Sequence, residues 1–191
     1  NVDVNTALRI STLAVPQYLP EPSLLSYIRT RDRGSSVVQM YEGQWSSVAI
    51  LTPDTLVRTP LVLSESFRNG RYTLVPHALP NTTIIEFILN GAGNRRMRLY
   101  YWHGLSNDTE RTAQAKAILE SLVPVDTNNN TAYLERFLDP PTAVPSGSGV
   151  TRPRLTRTGS AGVRLRYMRA KLTQPTRTNT IPPEFIDILE R

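Results

Sequence analysis

The sequence predicts a mainly β protein: an antiparallel β-sandwich of jelly-roll-like type, with one or two inserted short helices and extended terminal arms. Three observations carry that expectation. Proline is abundant, 15 in 191 residues, and the apolar runs between prolines are short. Those runs are rich in Val, Ile and aromatic residues and are separated by turn signals. A single segment, near residues 107–122, has a clear helical period. A chain of this length can build one domain with a real core.

The elements follow in order. Residues 1–22, "NVDVNTALRISTLAVPQYLPEP", carry Pro16, Pro20 and Pro22 with few charges and read as an extended arm lying on an apolar surface. "PSLLSYIRTRDRG" reads as a short helix, with Pro22 at its start, Leu24, Leu25 and Ile28 on one face and Gly34 after its end. Together these form an N-terminal unit, 1–34. "SSVVQMYEG" and "WSSVAILT" are short strand-like runs that Gly43 separates, a hairpin pattern. "TPLVLSES" is a further candidate strand. "FRNGRYTLVPHALP" holds Asn69-Gly70, the strongest short hairpin signal, because both residues tolerate positive φ. "NTTIIEFILNGAG" is a nearly continuous apolar run, as expected of a central strand covered on both faces.

"GNRRMRLYYWHG", residues 93–104, reads as a strand after a glycine turn. Met97, Leu99 and Tyr101 alternate with Arg96, Arg98, Tyr100 and Trp102, an apolar face and a contact face, and His103 marks the strand's end. In "SNDTERTAQAKAILESLVP", Asn107 caps a helix and Glu110 completes a capping box. Ala115, Ile118, Leu119 and Leu122 share a face and Pro124 ends the element. "TNNNTAYLERFLDPP" suggests a second helix, which puts the helical insertion at about 107–138 within a β domain spanning 35–172. Residues 139–160 read as loop, and "AGVRLRYMRAKLTQ" returns to strand. Residues 173–191 form a C-terminal arm.

Composition narrows the chemistry. The net charge is +6, and Lys116 and Lys171 are the two lysines among 22 basic residues. Arginine binds phosphate and carboxylate bidentately and stacks on rings, so an Arg-rich balance favours acidic partners. There is no cysteine, which removes disulfides, thiol nucleophiles and Cys-based zinc sites. With His77 and His103 as the two histidines, a multi-histidine metal site is nearly excluded, and no cofactor is expected. No apolar run approaches the roughly 20 residues that span a bilayer. The chain starts without Met and without a signal-peptide pattern, as a processed mature chain or an excised fragment would.

Motifs rank the candidate sites. Gly-x-Ser-x-Gly is absent, and "SGSG" at 146–149 has the wrong spacing, so a hydrolase using His77 or His103 ranks last. "NGAGNRR" lacks the P-loop lysine. Glu86 sits inside an apolar run and needs a partner such as Arg98 or Arg164. The sequons at Asn81, Asn107 and Asn129 are chance matches in an Asn- and Thr-rich chain. The candidate contact residues for nucleic acid or a neighbouring subunit are Arg96, Arg98, Arg152, Arg154, Arg157, Arg164, Arg166 and Arg169; the stretch 151–171 carries no acid. Trp45, Tyr100 and Trp102 are candidates for stacking on a ligand such as a sugar.

These features together resemble the coat proteins of small icosahedral RNA viruses: no Cys, Arg-rich and Lys-poor charge, Pro- and Thr-rich arms at both ends, a β core with an inserted helix, and a chain that looks proteolytically matured. The resemblance lies in overall layout and carries no signature motif. It implies a jelly-roll or related sandwich subunit of a virion shell, arms that knit copies of itself or sibling capsid chains, and a basic surface facing genomic RNA. The final third supplies one clear strand where such a shell needs more, so a projecting domain that meets a host receptor or glycan stays open. The expected function is structural and non-enzymatic.

Overall fold

The computed structural model describes residues 1–52 and 61–127. The fold is mainly β, as expected. A short helix α1 (Val4–Ile10) leads into β1 (Leu13–Pro16) and β2 (Leu24–Arg31). After a turn at Asp32–Gly34 come β3 (Ser36–Glu42), β4 (Ser46–Thr52), β5 (Glu65–Phe67), β6 (Gly70–Leu74), β7 (Thr82–Leu89) and β8 (Arg96–His103). Helix α2 (Asp108–Glu120) and β9 (Leu122–Val125) complete the described elements. The strands form a seven-stranded antiparallel sheet in the order β2-β3-β4-β8-β7-β6-β5 and a two-stranded sheet β1-β9. The wide sheet is thus two meanders joined where β8 pairs with β4. Among the described residues every strand pairing is antiparallel, so no βαβ unit is present there.

The two sheets enclose the main core. Val37, Tyr41, Val48, Ile50, Ile85, Phe87, Met97, Leu99 and Tyr101 face α1, the small sheet and α2. Burying side chains of this size contributes roughly 1.5–3 kcal/mol each. A polar link ties the sheets together inside this core. Gln39 Nε2 donates to the Ala14 carbonyl at 3.1 Å, and Tyr41 Oη donates to Gln39 Oε1 at 2.8 Å. Helix α2 packs on β7 and β8, where Tyr101 Oη donates to Gln114 Oε1 at 2.8 Å.

Both expectations for the first 34 residues need correction. Residues 1–22 are not simply an extended arm. Asp3 caps α1 by accepting from Thr6 N at 2.8 Å, and Val4, Ala7, Leu8, Leu13, Ala14 and Val15 are buried in this chain's own core. The segment 23–34 is a strand, not a helix. A β-bulge between Leu25 and Tyr27 inserts one residue, so Leu25 and Ile28 both point at the core despite their i, i+3 spacing. That spacing is what imitates a helical face.

Other elements keep their place but change their reason. The Phe67–Gly70 hairpin forms with Arg68 and Asn69 as its loop, and neither Asn69 nor Gly70 takes positive φ. Gly70 is required by contact: a Cβ there would collide with the Ile88 carbonyl oxygen of β7. Positive φ is used instead in the β7–β8 turn, at Gly91, Gly93 and Asn94. Of the candidate strand 59–66, residues 61–64 are not in a strand and Glu65 opens β5. Helix α2 stops at Glu120, and Leu122 and Pro124 belong to β9. The expected second helix, the strand at 161–171 and the C-terminal arm lie outside the described residues. No helix among the described residues is long and apolar enough to cross a membrane.

Candidate functional site: the outer face of the wide sheet

β8 lies at the centre of the wide sheet, so its two faces set the character of the whole sheet. Its alternation is as read from sequence: Met97, Leu99 and Tyr101 join the main core, while Tyr100 and Trp102 join a second apolar cluster on the opposite, outer face. The register lays this outer face out in rows. Arg98 stands beside Leu51 of β4 and Glu86 of β7, Tyr100 beside Ala49 and Ile84, and Trp102 beside Ser47 and Thr82. The Arg98 row continues to Val38 and Arg29 on one side and to Thr73 on the other. Arg96 pairs with Ile88, which pairs with Arg71, and Arg31 occupies the matching place on β2.

The outer face is therefore graded. Arg29, Arg31, Arg71, Arg96 and Arg98 gather at one end. Val38, Met40, Ala49, Leu51, Ile84 and Tyr100 form the apolar middle, flanked by Val75 and Leu79. The far end is polar, with Glu42, Ser47 and Thr82 around Trp102.

Among the described residues, Glu86 is the carboxylate that meets Arg96 and Arg98 at the basic end. Glu86 is fully buried and forms ion pairs with Arg96 and Arg98, the latter at 3.2 Å. A buried carboxylate is tolerated only with such partners, and the expected Arg98 partner is thereby in place. Arg96 also donates to the Leu61 carbonyl at 2.8 Å, and Arg71 donates to the Leu63 carbonyl at 2.6 Å. Both guanidiniums thus hold the 61–63 backbone against the sheet. Arg29 lies over the Tyr27 ring at 4.8 Å.

Tyr100 and Trp102 do not form the exposed stacking surface expected of them. Each is 2 % exposed. Alternation assigns a residue to a face but does not fix its exposure, and both rings belong to a buried cluster with Val38, Met40, Ala49, Leu51 and Ile84. Trp45 remains half-buried in the β3–β4 turn, where its N–H donates to Glu21 Oε1 at 2.8 Å and its carbonyl accepts from Gly104. Glu21 also accepts from Ser46 N and Ser46 Oγ at 2.7 and 2.6 Å, which pins the N-terminal segment to this hairpin.

Both histidines serve as turn acceptors. His103 Nδ1 accepts from Leu105 N and Ser106 N, each at 3.1 Å, and so joins β8 to the start of α2. His77 Nδ1 accepts from Leu79 N at 3.0 Å. Partial burial first, and then the Arg111 charge, hold the His77 imidazole below its ordinary value. Among the described residues no group of three His, Asp or Glu side chains could hold a metal ion.

Of the predicted contact residues, the structure brings Arg96 and Arg98 together. Arg152, Arg154, Arg157, Arg164, Arg166 and Arg169 lie outside the described residues. The sequence reading missed Arg29, Arg31 and Arg71. Arg29 and Arg31 stand at strand spacing in "YIRTR", a signal hidden once that segment is read as helix. Arg71 directly follows the hairpin glycine, and only the β6–β7 register brings it beside Ile88 and Arg96.

Comparison of the chain with protein-family models, curated proteins and solved structures finds no match. The functional reading therefore rests on the geometry of this face.

Proposed function

We propose that this chain is a non-enzymatic structural protein, a self-assembling subunit of capsid type that acts within a virion. The observation that carries the reading is the gathering of Arg29, Arg31, Arg71, Arg96 and Arg98 at one end of the outer face. Glu86 is a buried carboxylate among them, shared by Arg96 and Arg98. Arg71 is exposed and Arg29 and Arg96 are partly so, and guanidiniums placed this way suit RNA phosphates or the acidic surface of a neighbouring subunit. The use of both histidines as turn acceptors supports the same reading, since it gives them structural work.

Two measurements test it. Light scattering and electron microscopy of the purified chain should show large, regular assemblies; a monomer at every salt and protein concentration would sink the assembly reading. RNA affinity should fall with salt, and Arg29→Ala with Arg71→Ala should lower the slope of log K against log salt by about 2, close to one for each phosphate no longer neutralised. These two arginines are chosen because Arg96 and Arg98 hold Glu86, and removing them would disturb the fold.

A further inference from the structure

We propose that the groove at the basic end takes the acidic C-terminal segment of this same chain, residues 184–190. The groove has a volume of about 560 Å³, within the range of small-molecule and side-chain pockets. Its walls are Leu61, Val62, Leu63 and Ile88, and Arg71 and Arg96 line it from the sheet. Val62 is 82 % exposed there, an aliphatic side chain left in water at the mouth of a charged groove.

The electrostatics ask for a carboxylate. Glu86 meets Arg96 but shares its single charge with Arg98. Arg71 spends one donor on the Leu63 carbonyl. A guanidinium has five N–H donors in a planar fork, so both arginines keep donors beyond these bonds. An occupant that satisfies the groove therefore combines carboxylates with aliphatic or aromatic side chains. Phosphate alone would leave the apolar walls in water.

The chain itself carries such a segment. "EFIDILE", residues 184–190, interleaves Glu184, Asp187 and Glu190 with Phe185, Ile186, Ile188 and Leu189, and contains no cation. The stretch 151–171 is basic without an acid, and the groove would repel it. Fifty-six residues, 128–183, separate Thr127 from Glu184, a reach well beyond the width of the sheet. A tethered segment meets its site at an effective concentration that a separate copy must match in bulk, which favours the same chain. Docking does not depend on assembly, because a chain that forms no shells can still dock its own terminus.

The chain has no cysteine, so an engineered pair is an unambiguous reporter. Full-length Val62→Cys with Ile188→Cys is oxidised mildly and mapped by mass spectrometry, with Ser64→Cys with Ile188→Cys as a second pair, Ser64 being exposed next to the lining residue Leu63. The expected result is an intrachain disulfide from either groove pair, reduced severalfold when Arg71→Glu is added. Tyr18→Cys with Ile188→Cys is the control, since Tyr18 is exposed elsewhere on the fold. Equal cross-linking in the control, links only between chains, no link from either groove pair, or no effect of Arg71→Glu would each overturn the proposal.

Discussion

Glu86 and Arg98 face each other as a register pair on β7 and β8, and the Arg98 Nη2 donates to the Glu86 Oε2 at 3.2 Å. The carboxylate is fully buried, while the Arg98 side chain keeps 16 % of its surface exposed. Arg96 meets the other carboxylate oxygen from the same strand. One acid therefore holds two cations at the centre of a wide sheet. Removing it takes away the carboxylate that both guanidiniums share. Glu86→Ala should lower unfolding stability by about 3–5 kcal/mol, read from urea denaturation. A loss within the scatter of surface substitutions would show that the pair is dispensable.

Trp102 belongs to the fold and not to a ligand surface. It is 2 % exposed and packs among Ala49, Tyr100 and Ile84. Trp102→Ala should cost about 3–5 kcal/mol, with thermal unfolding as the measure. If the variant keeps the parent's melting temperature and loses binding to a glycan, the burial assigned to Trp102 is wrong.

Gly70 is held by close approach. It opens β6 with its backbone against the Ile88 carbonyl, where a methyl group has no room. Gly70→Ala should destabilise the chain by about 1–3 kcal/mol. Gly34, whose neighbourhood is open, takes φ +90° and should respond through backbone strain alone. Chemical denaturation of both variants separates the cases: an Ala at position 70 that is harmless would contradict the packing of β6 on β7.

His77 makes stability depend on pH. His77 keeps an exposed side chain, and its folded value lies below the ordinary 6.5 through partial desolvation first and the Arg111 charge second, while a Thr82 backbone contact pulls the other way. The fold thus favours neutral imidazole, which can still accept from Leu79 N. The unfolded chain binds the proton more readily, so the contribution is complete above about 6.5 and is lost as pH falls through the lower folded value. Urea midpoints measured from pH 8 down to pH 5 should show this slope, and His77→Asn should remove part of it. Parallel profiles for the two proteins would reject the assignment.

Local patterns made much of this fold legible. The β3–β4 hairpin, the apolar strand β7, the alternation along β8 and the Asn107 cap all rest on near neighbours or on one strand's period. Each follows from a rule that acts over a few residues. The bulge in β2 breaks such a rule. It puts Leu25 and Ile28 on one face at a helical spacing, and the helical reading of that segment also hides Arg29 and Arg31.

The sequence by itself determined the class: a β-rich, cysteine-free, Arg-rich chain with one strong helix and a basic–aromatic strand. Tertiary structure decided what those residues do. It placed β8 between β4 and β7, which buried Tyr100 and Trp102, and it carried Arg71 and Arg29 from distant strands to the end where Arg96 and Arg98 lie. Strand order and register come from long-range pairing, whose free energy depends on the whole core and not on any one segment. That is why a face assembled from arginines and aliphatics of several strands could be seen only once the strands were side by side.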